Sequence, residues 1–352
     1  VCIFPAEALG CMNILGIETS CDETAAAVVR NGTVILSNVI SSQVALHSPY
    51  GGVVPEVAAR SHVEVLPGVL EEALRKAGVG WNAIDAVAAT HGPGLASSLL
   101  VGFSSAKALA MRLGKPLCAI NHMEAHIYSV FVGSGVALDG ASLPLLVLVV
   151  SGGHTALVRM KALGGYERLG GTLDDAAGEA FDKGAKLLGL GYPGGPAIDK
   201  AARGHNPDAA PFTRGLGCTD PSSGRYQFSF SGLKTALLYH LRDHPLSADR
   251  CEVGSLSASY QETIVDSLVN GCRAVYRPGD RLAAVGGVSL NGRLRQKLGE
   301  MAGQLGTSML LAAQELCGDN AAMVAGLAGA GRGVWGDAAM ALDVDPNLEV
   351  PG

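Results

Sequence analysis

The sequence predicts an α/β protein of two lobes laid out on a duplicated plan, and three observations carry that prediction. A strand, a small polar loop and a returning strand run from Asn13 to Val29, and the same succession opens again at Leu145, about 130 residues further on. Short apolar strands alternate with longer stretches of helical periodicity, the pattern of α/β layers. Glycine supplies 48 of the 352 residues, about 14% and roughly twice the usual share, without a collagen-like period. Such an excess belongs in tight turns and in loops that approach a ligand closely. Two unrelated hairpins would leave the same trace as a duplication, so the repeat is an expectation for the structure to decide.

In chain order, Asn13 to Ile17 reads as a buried strand, Glu18 to Thr24 as the polar loop, and Ala25 to Val29 as the return. Gly32 turns the chain into a third strand, Thr33 to Ile40. Beyond Gly51-Gly52-Val53-Val54-Pro55-Glu56, helical spacing predicts a helix over about Val57 to Ala77, stopped by Gly78. Ile84 to Thr90 is a strand, His91 to Gly94 a loop, Ser97 to Leu113 a helix, and Pro116 to Ile120 a strand. Periodicity lapses between Gly133 and Pro144. The second hairpin follows, with Leu145 to Val150, the loop Ser151-Gly152-Gly153-His154-Thr155, and Ala156 to Met160. An exposed helix is expected over Leu173 to Leu188, a loop over Gly189 to Pro196, and helical segments over Ala197 to Arg203, after Ser229 to Thr235, and over Ser257 to Tyr276. Arg281 to Val285 is a strand, Gly286 to Gly292 a loop and Arg293 to Leu305 a helix, before an alanine-rich helix opening at Cys317 to Met323.

Composition narrows the class. With 48% hydrophobic and 16% charged residues the chain is globular and long enough for two domains. A formal net charge of −6, without a Lys/Arg run of five, argues against a protein that grips nucleic acid by its own phosphate contacts alone. The eight cysteines are scattered with no C-x-x-C pair, which disfavours a zinc ribbon or disulfide framework and suits a reducing cytoplasm. No apolar run reaches the roughly 18 residues of a membrane span. Val1 to Cys11 lacks the basic start of a signal peptide and reads as an extension without a role in the fold.

The chemistry centres on Asn121-His122-Met123-Glu124-Ala125-His126. Asn121 is a good N-cap, and histidines four apart on a helix share a face, where one metal ion could take both. A chance pair among nine histidines would look the same. The zinc-protease signature H-E-x-x-H needs its general base beside the first histidine, where this chain has Met123. Three glycine- or serine-rich loops, two in hairpins and one opening a helix, match the way a two-lobed nucleotide-binding protein cradles phosphates, although each is weak evidence singly. There is no Walker A or G-x-G-x-x-G fingerprint. Asp22, Glu23, Asp182, Asp199 and Asp319 stand beside such loops and are each solvated charges or caps if judged alone, Asp319 or Asn320 capping the last helix. With the histidines they would suit a metal–phosphate site.

Several stretches together resemble the TsaD family of tRNA N6-adenosine threonylcarbamoyltransferases. They are Gly16 to Thr24, Asn121 to His126, Val150 to Thr155, Asp174 to Lys183, Gly191 to Gly195, Phe228 to Lys234 and Asp319 to Met323. The match runs in order from about Met12 to about Asp343; Leu290, where relatives usually have alanine, and Gly292 are small departures. The resemblance implies an α/β fold of the two-lobed, duplicated actin/Hsp70/sugar-kinase-like (ASKHA) type, with an N-terminal lobe over 12–140, a C-terminal lobe over 141–343 and a tail over 344–352. It implies transfer of a threonylcarbamoyl group from threonylcarbamoyl-AMP to the N6 amine of the adenosine 3′ to the anticodon, in tRNAs reading codons that begin with A. It maps the ligands of one divalent metal, iron ahead of zinc, onto His122, His126 and Asp319, with Asp319 expected from the opposite lobe. Substrate-binding positions map onto Val149, Val150, Ser151, Gly152, Gly153, Asp182, Gly195, Asp199 and Asn291, and activity-critical acids onto Asp22 and Glu23. It also implies TsaB and TsaE partner proteins, adenylate supplied by a TsaC-type enzyme, a cytoplasmic location and no membrane contact. Catalysis is then expected to rest on positioning and charge stabilisation, with no covalent enzyme intermediate. A metalloprotease lacks its base here, a kinase of this fold would hold Mg²⁺ on oxygens and has no use for the histidine pair, and non-catalytic paralogues lack that pair.

Overall fold

Ile14, Leu15 and Ile17 carry no solvent exposure beyond 1% in β1 (Asn13–Glu18), the strand around which the first sheet is laid. The computed structural model describes residues 12–213, 216–246 and 250–350. The expected extension over residues 1–11 lies outside the described residues, as do the last two residues of the tail. Two units are present: one takes the chain up to Leu138 and again from Ala312, the other takes Asp139–Leu311.

Unit 1 begins with β1, β2 (Glu23–Arg30) and β3 (Val34–Ser42), an antiparallel meander. It continues through α1 (Val44–His47), α2 (Pro55–Ala77), β4 (Ala86–Gly92), α3 (Ala96–Leu113), β5 (Leu117–Asn121) and α4 (His122–Tyr128). Helix α2 starts two residues earlier than the periodicity predicts because Pro55 takes the first helical position, where its missing N–H costs nothing. It stops as expected at Gly78, whose φ of 67° only glycine adopts freely.

Unit 2 has β6 (Leu145–Val150), β7 (Thr155–Ala162), β8 (Gly165–Thr172), α5 (Ala177–Leu187), α6 (Gly194–Ala202), β9 (Gly217–Thr219) and β10 (Tyr226–Phe228). After these come α7 (Ser231–Asp243), α8 (Arg250–Val275), β11 (Arg281–Val285), α9 (Gly292–Leu305) and β12 (Met309–Leu311). The chain then returns to unit 1 as α10 (Ala321–Gly329), β13 (Val334–Trp335) and α11 (Asp337–Ala341).

The strand orders settle the question of duplication. Within the sheet of unit 1 runs the order β5-β4-β1-β2-β3, and within that of unit 2 the order β12-β11-β6-β7-β8. In both, the first three strands are antiparallel and the remaining pairings are parallel. Two unrelated hairpins would not share five strands in one order and one set of directions. Each sheet buries its own apolar core, around Leu15, Val28 and Phe103 in unit 1 and around Leu148, Phe181 and Tyr260 in unit 2.

Three expectations need correction. Residues 312–343, assigned to the C-terminal lobe, belong to unit 1. Gly16 on β1 explains how they fit: a Cβ there would collide with the Ala321 carbonyl oxygen, so glycine lets α10 lie directly on the sheet. The stretch after 343 is no loose tail, since Asp345 N–H donates to His91 O, Gly94 N–H to Pro346 O and the Asn121 side chain to Glu349 O. The exposed helix over Leu173 to Leu188 is instead α5, starting at Ala177 and burying Ala180, Phe181 and Ala185. Its expected first turn is drawn elsewhere, because Asp174 accepts from Ser229, Phe230 and Ser231 at the start of α7. Among the described residues no helix is long and apolar enough to cross a membrane, and the six cysteines described are thiols outside any disulfide.

Candidate metal centre and substrate loops

The histidine pair is set by local chemistry. Strand β5 ends in Asn121, whose side-chain oxygen accepts the N–H of Glu124 at 3.0 Å, the N-cap its sequence position suggested. One turn of α4 then stacks His122 and His126 with ring centroids 4.6 Å apart and planes at 84°. Both rings are buried. At the other end of the sequence Asn320, next to Asp319, caps α10 by accepting Met323 N–H. Asp319 Oδ1 lies 3.0 Å from His126 Nε2 and 3.7 Å from His122 Nε2. The three side chains offer donor atoms that all lie within 4.8 Å of one another. All three belong to unit 1, so the expectation that Asp319 comes from the opposite lobe is wrong, for the same reason that the boundary at 343 is.

Sequence reasoning missed the residue behind this set. Glu18, at the end of β1, is fully buried, and its Oε2 faces His122 Nδ1 at 3.2 Å while accepting the Thr90 hydroxyl at 2.5 Å. Its Oε1 accepts Ser20 N–H at 2.6 Å, and the Ser20 hydroxyl also lies 3.2 Å from His122 Nδ1. A carboxylate on the far nitrogen of a ligating imidazole fixes the ring and strengthens it as a donor. The signal was available: a carboxylate closing the apolar run Ile14 to Ile17 is costly unless it is paired.

The electrostatics favour a cation. Burial works against a charged His122 ring, but Glu18 and Asp319 outweigh it and hold its pKa at about 9. Burial would lift the Glu18 carboxyl, yet the interaction with His122 keeps it below its ordinary value. Glu23 is pushed up to about 10 by burial and then by Asp319 and Asp22. Without a cation, Glu23 and His122 thus both hold a proton more firmly than usual. Two imidazole nitrogens and one carboxylate, with a buried second carboxylate behind, form a donor set that fits a divalent transition metal. Cys21, in the same turn, has its thiol pushed well up by burial and by Asp22, which removes it as a nucleophile at neutral pH. Glu124 is engaged with Arg332, Nε to Oε1 at 2.7 Å, and plays no part in the set.

The other predicted residues gather in unit 2. Val149 and Val150 are wholly buried, so β6 can offer a ligand only its backbone there. In the turn that follows, Ser151 N–H donates to His154 O at 2.8 Å and His154 N–H to Ser151 Oγ at 3.2 Å. Among the described residues the N–H groups of Gly152 and Gly153 make no hydrogen bond. A Cβ at either glycine would meet no atom within 4 Å, so protein packing does not demand glycine at those positions. Gly286, at the end of neighbouring β11, has φ 89°, and a Cβ there would collide with Val150 O, which ties the two loops together.

Asp182 accepts Gly194 N–H at 2.7 Å and opens α6, which is why that helix begins three residues before the sequence suggested. Gly195 lies beside it with open space at its Cβ. Asp199 accepts Gly292 N–H at 3.2 Å and pairs with Arg203, while Asn291 caps α9 and donates to Gln261 Oε1 at 2.8 Å. A cavity of about 500 Å³ opens there, lined among others by Asp199, Gln261, Gly292 and Arg293. Asp22 and Glu23 are not part of this group; they stand in unit 1, in the turn between β1 and β2 and at its return strand.

Comparison with known proteins shows the family. The family model of TsaD, tRNA N6-adenosine threonylcarbamoyltransferase, matches residues 34–326. A protein of that name from Syntrophobacter fumaroxidans is 50% identical over 326 residues, covering 90% of this chain and 93% of its own. One from Geotalea uraniireducens is 49% identical over 316 residues, covering 89% and 90%. Among solved structures, HypF from T. kodakarensis superposes with a TM-score of 0.58 at 14% identity, covering 92% of this chain and 47% of that one, a likeness of fold of the actin/Hsp70-like kind. The chain belongs to the TsaD family and is a tRNA N6-adenosine threonylcarbamoyltransferase.

Proposed function

We propose that the chain moves the threonylcarbamoyl group of threonylcarbamoyl-AMP onto the N6 amine of the adenosine 3′ to the anticodon, in tRNAs reading codons that begin with A, and that it does so with one divalent metal. The observation that carries the metal is the convergence of His122 Nε2 and His126 Nε2 on Asp319 Oδ1, backed by Glu18. Iron suits two imidazoles and one carboxylate with open positions, and zinc is the alternative. His122, His126 and Asp319 would hold the ion, which when bound supplies Lewis-acid stabilisation to a phosphate or carbonyl oxygen.

The chain's own groups do the rest. In the reaction the amine nitrogen bonds to the carbamoyl carbon, the carbon–oxygen bond to phosphate breaks, AMP departs with that bond's electron pair, and the amine's proton passes to solvent. An exocyclic adenine amine is a poor nucleophile, so the gain must come from placement and from support of the leaving phosphate. Gly152 and Gly153 have N–H groups to give to an anion, whereas that of Ser151 is spent inside its turn. Asp182, Gly195, Asp199 and Asn291 are assigned to the adenylate. Glu23, at the start of the return strand β2 and mostly buried, is assigned with Asp22 to the acids on which activity depends. The raised Cys21 thiol is consistent with the absence of a covalent enzyme intermediate.

We assign the chain to the cytoplasm, working with TsaB and TsaE proteins and with adenylate from a TsaC-type enzyme. The test is tRNA modification reconstituted with His122→Ala beside the unaltered chain, with metal content measured on both. Loss of modified adenosine together with loss of metal is expected; equal activity would remove the metal from the mechanism.

A further inference from the structure

Unit 1 buries a second group of polar side chains that the reaction described above does not use. Gln43, His47 and His62 are each 2% exposed or less, as is Thr24. His47 Nδ1 accepts Val54 N–H at 3.3 Å, and its Nε2 lies 3.2 Å from Gln43 Oε1. Gln43 Nε2 in turn lies 3.2 Å from His62 Nδ1 and 3.4 Å from Ala58 O, and the Thr24 hydroxyl approaches the same Nδ1 at 2.8 Å. His62 Nε2 lies 2.9 Å from Cys21 O.

Every proton in this series is placed by a backbone group. Val54 N–H can only donate, so His47 keeps its lone pair on Nδ1 and its proton on Nε2, which donates to Gln43 Oε1. The Ala58 carbonyl can only accept, so the Gln43 amide turns its NH₂ towards it and towards His62 Nδ1. The Cys21 carbonyl can only accept, so His62 carries its proton on Nε2. Both ends of the chain dictate the same tautomers, with both rings neutral. Burial holds His62 below its ordinary pKa, in keeping with that neutral form.

The far end of the chain bears on the acids. The carbonyl that His62 holds belongs to the peptide bond between Cys21 and Asp22. The next carbonyl, Asp22 O, accepts Gln43 N–H at 3.0 Å. The peptide planes before and after Asp22 are thus both fixed by residues of this chain, which sets the direction in which Asp22 and Glu23 project. Satisfying four buried polar side chains is demanding, and a fully satisfied network buys a unique arrangement.

We propose that His62, with Gln43 and His47, is a positioning residue for the Asp22–Glu23 turn and couples that turn to the Gly51–Val54 loop. The proposal rests on the assignment of Asp22 and Glu23 to the reaction. In reconstituted tRNA modification, His62→Leu should lower kcat about 10- to 100-fold, the scale of a small misplacement of reacting groups. KM for tRNA and bound metal should stay unchanged. His62→Gln, which returns a donor to the Cys21 carbonyl, should recover most of the lost rate. If His62→Leu does not fold, Gln43→Met cuts the chain one link earlier and takes its place. A kcat within about two-fold of the unaltered chain, a loss confined to the amount of folded protein, or failure of His62→Gln to recover activity would overturn the proposal. Glu23→Ala and Asp22→Ala in the same assay separate the two ideas. If both keep full activity, the role of the acids is wrong; if they are inactive while His62→Leu is not, only the positioning chain is wrong.

Discussion

The two units share one strand order and opposite chemistry at its first turn. In unit 1 the turn between the first two strands runs into Asp22 and Glu23 and lies near Glu18 and Asp319. In unit 2 the corresponding turn is Ser151 to His154, with two glycine N–H groups unspent. Net charge follows the same division: unit 1 has 8 Lys and Arg against 16 Asp and Glu, unit 2 has 18 against 16. Topology therefore places a loop at the end of a central strand, and a handful of residues decides whether that loop presents carboxyls or unspent N–H groups. The difference also bears on a chain of net charge −6 acting on tRNA, because its acidity is confined to one unit and is spent in part on the buried carboxyls of the candidate metal centre.

The largest effects should come from removing the cation from unit 1. Asp319→Ala or His126→Ala is expected to abolish stoichiometric metal, read by elemental analysis. The same variants should lower tRNA modification on the order of 10² to 10³-fold, the worth of several kcal/mol of Lewis-acid stabilisation. Unit 2 should be untouched, so adenylate binding measured by calorimetry should stay close to that of the unaltered chain. A variant that kept its metal, or that lost adenylate binding equally, would break the division of labour between the units.

Glu18→Gln comes next. It keeps the shape of the side chain but removes the charge that faces His122 Nδ1, and losing the carboxylate behind a ligating imidazole costs about 10- to 100-fold in metal affinity or activity. The group also illustrates what a sequence can and cannot convey. His122 and His126 were legible because helical spacing and an Asn cap are local, and the glycine loops because turn residues are local. Glu18 could be suspected of needing a partner, but which partners was hidden, because Thr90 and His122 are 72 and 104 residues away. The unit to which Asp319 belongs was hidden for a similar reason: the chain leaves at Leu138 and comes back at Ala312, and no composition change marks the return. The duplication was visible at Leu145, but only the pairing of β4 and β11 with their hairpins made it certain.

Two glycines sharpen the account of unit 2. Gly286→Ala forces a Cβ onto Val150 O at a positive φ, and strain of that sort costs about 1–3 kcal/mol. Thermal unfolding should therefore move clearly downward. Gly152→Ala meets nothing in the protein, so its effect on stability should stay within about 0.5 kcal/mol. Its Cβ instead occupies the space beside the unspent N–H, and KM for the adenylate should rise about ten-fold, a loss near 1.4 kcal/mol. A destabilised Gly152→Ala with unchanged KM would show that the loop owes its glycines to folding.

The smallest effect on activity belongs to Glu124, the acid that lies between the two histidines in sequence. A protease reading would make it a base, and Glu124→Gln would then be inactive. Its carboxylate instead meets Arg332 at 2.7 Å, tying α4 to the stretch between α10 and β13. Glu124 is buried and Arg332 is about one-third exposed, so solvent softens the loss when the charge is removed. Glu124→Gln should cost about 1–3 kcal/mol in denaturant unfolding, the range for a buried polar group deprived of a charged partner. Modification of tRNA should persist within roughly two-fold, since α4 keeps its Asn121 cap and both of its imidazoles. Activity lost without loss of stability would return Glu124 to the chemistry and unsettle the contrast between the unit proposed to hold the metal and the unit proposed to hold the anion.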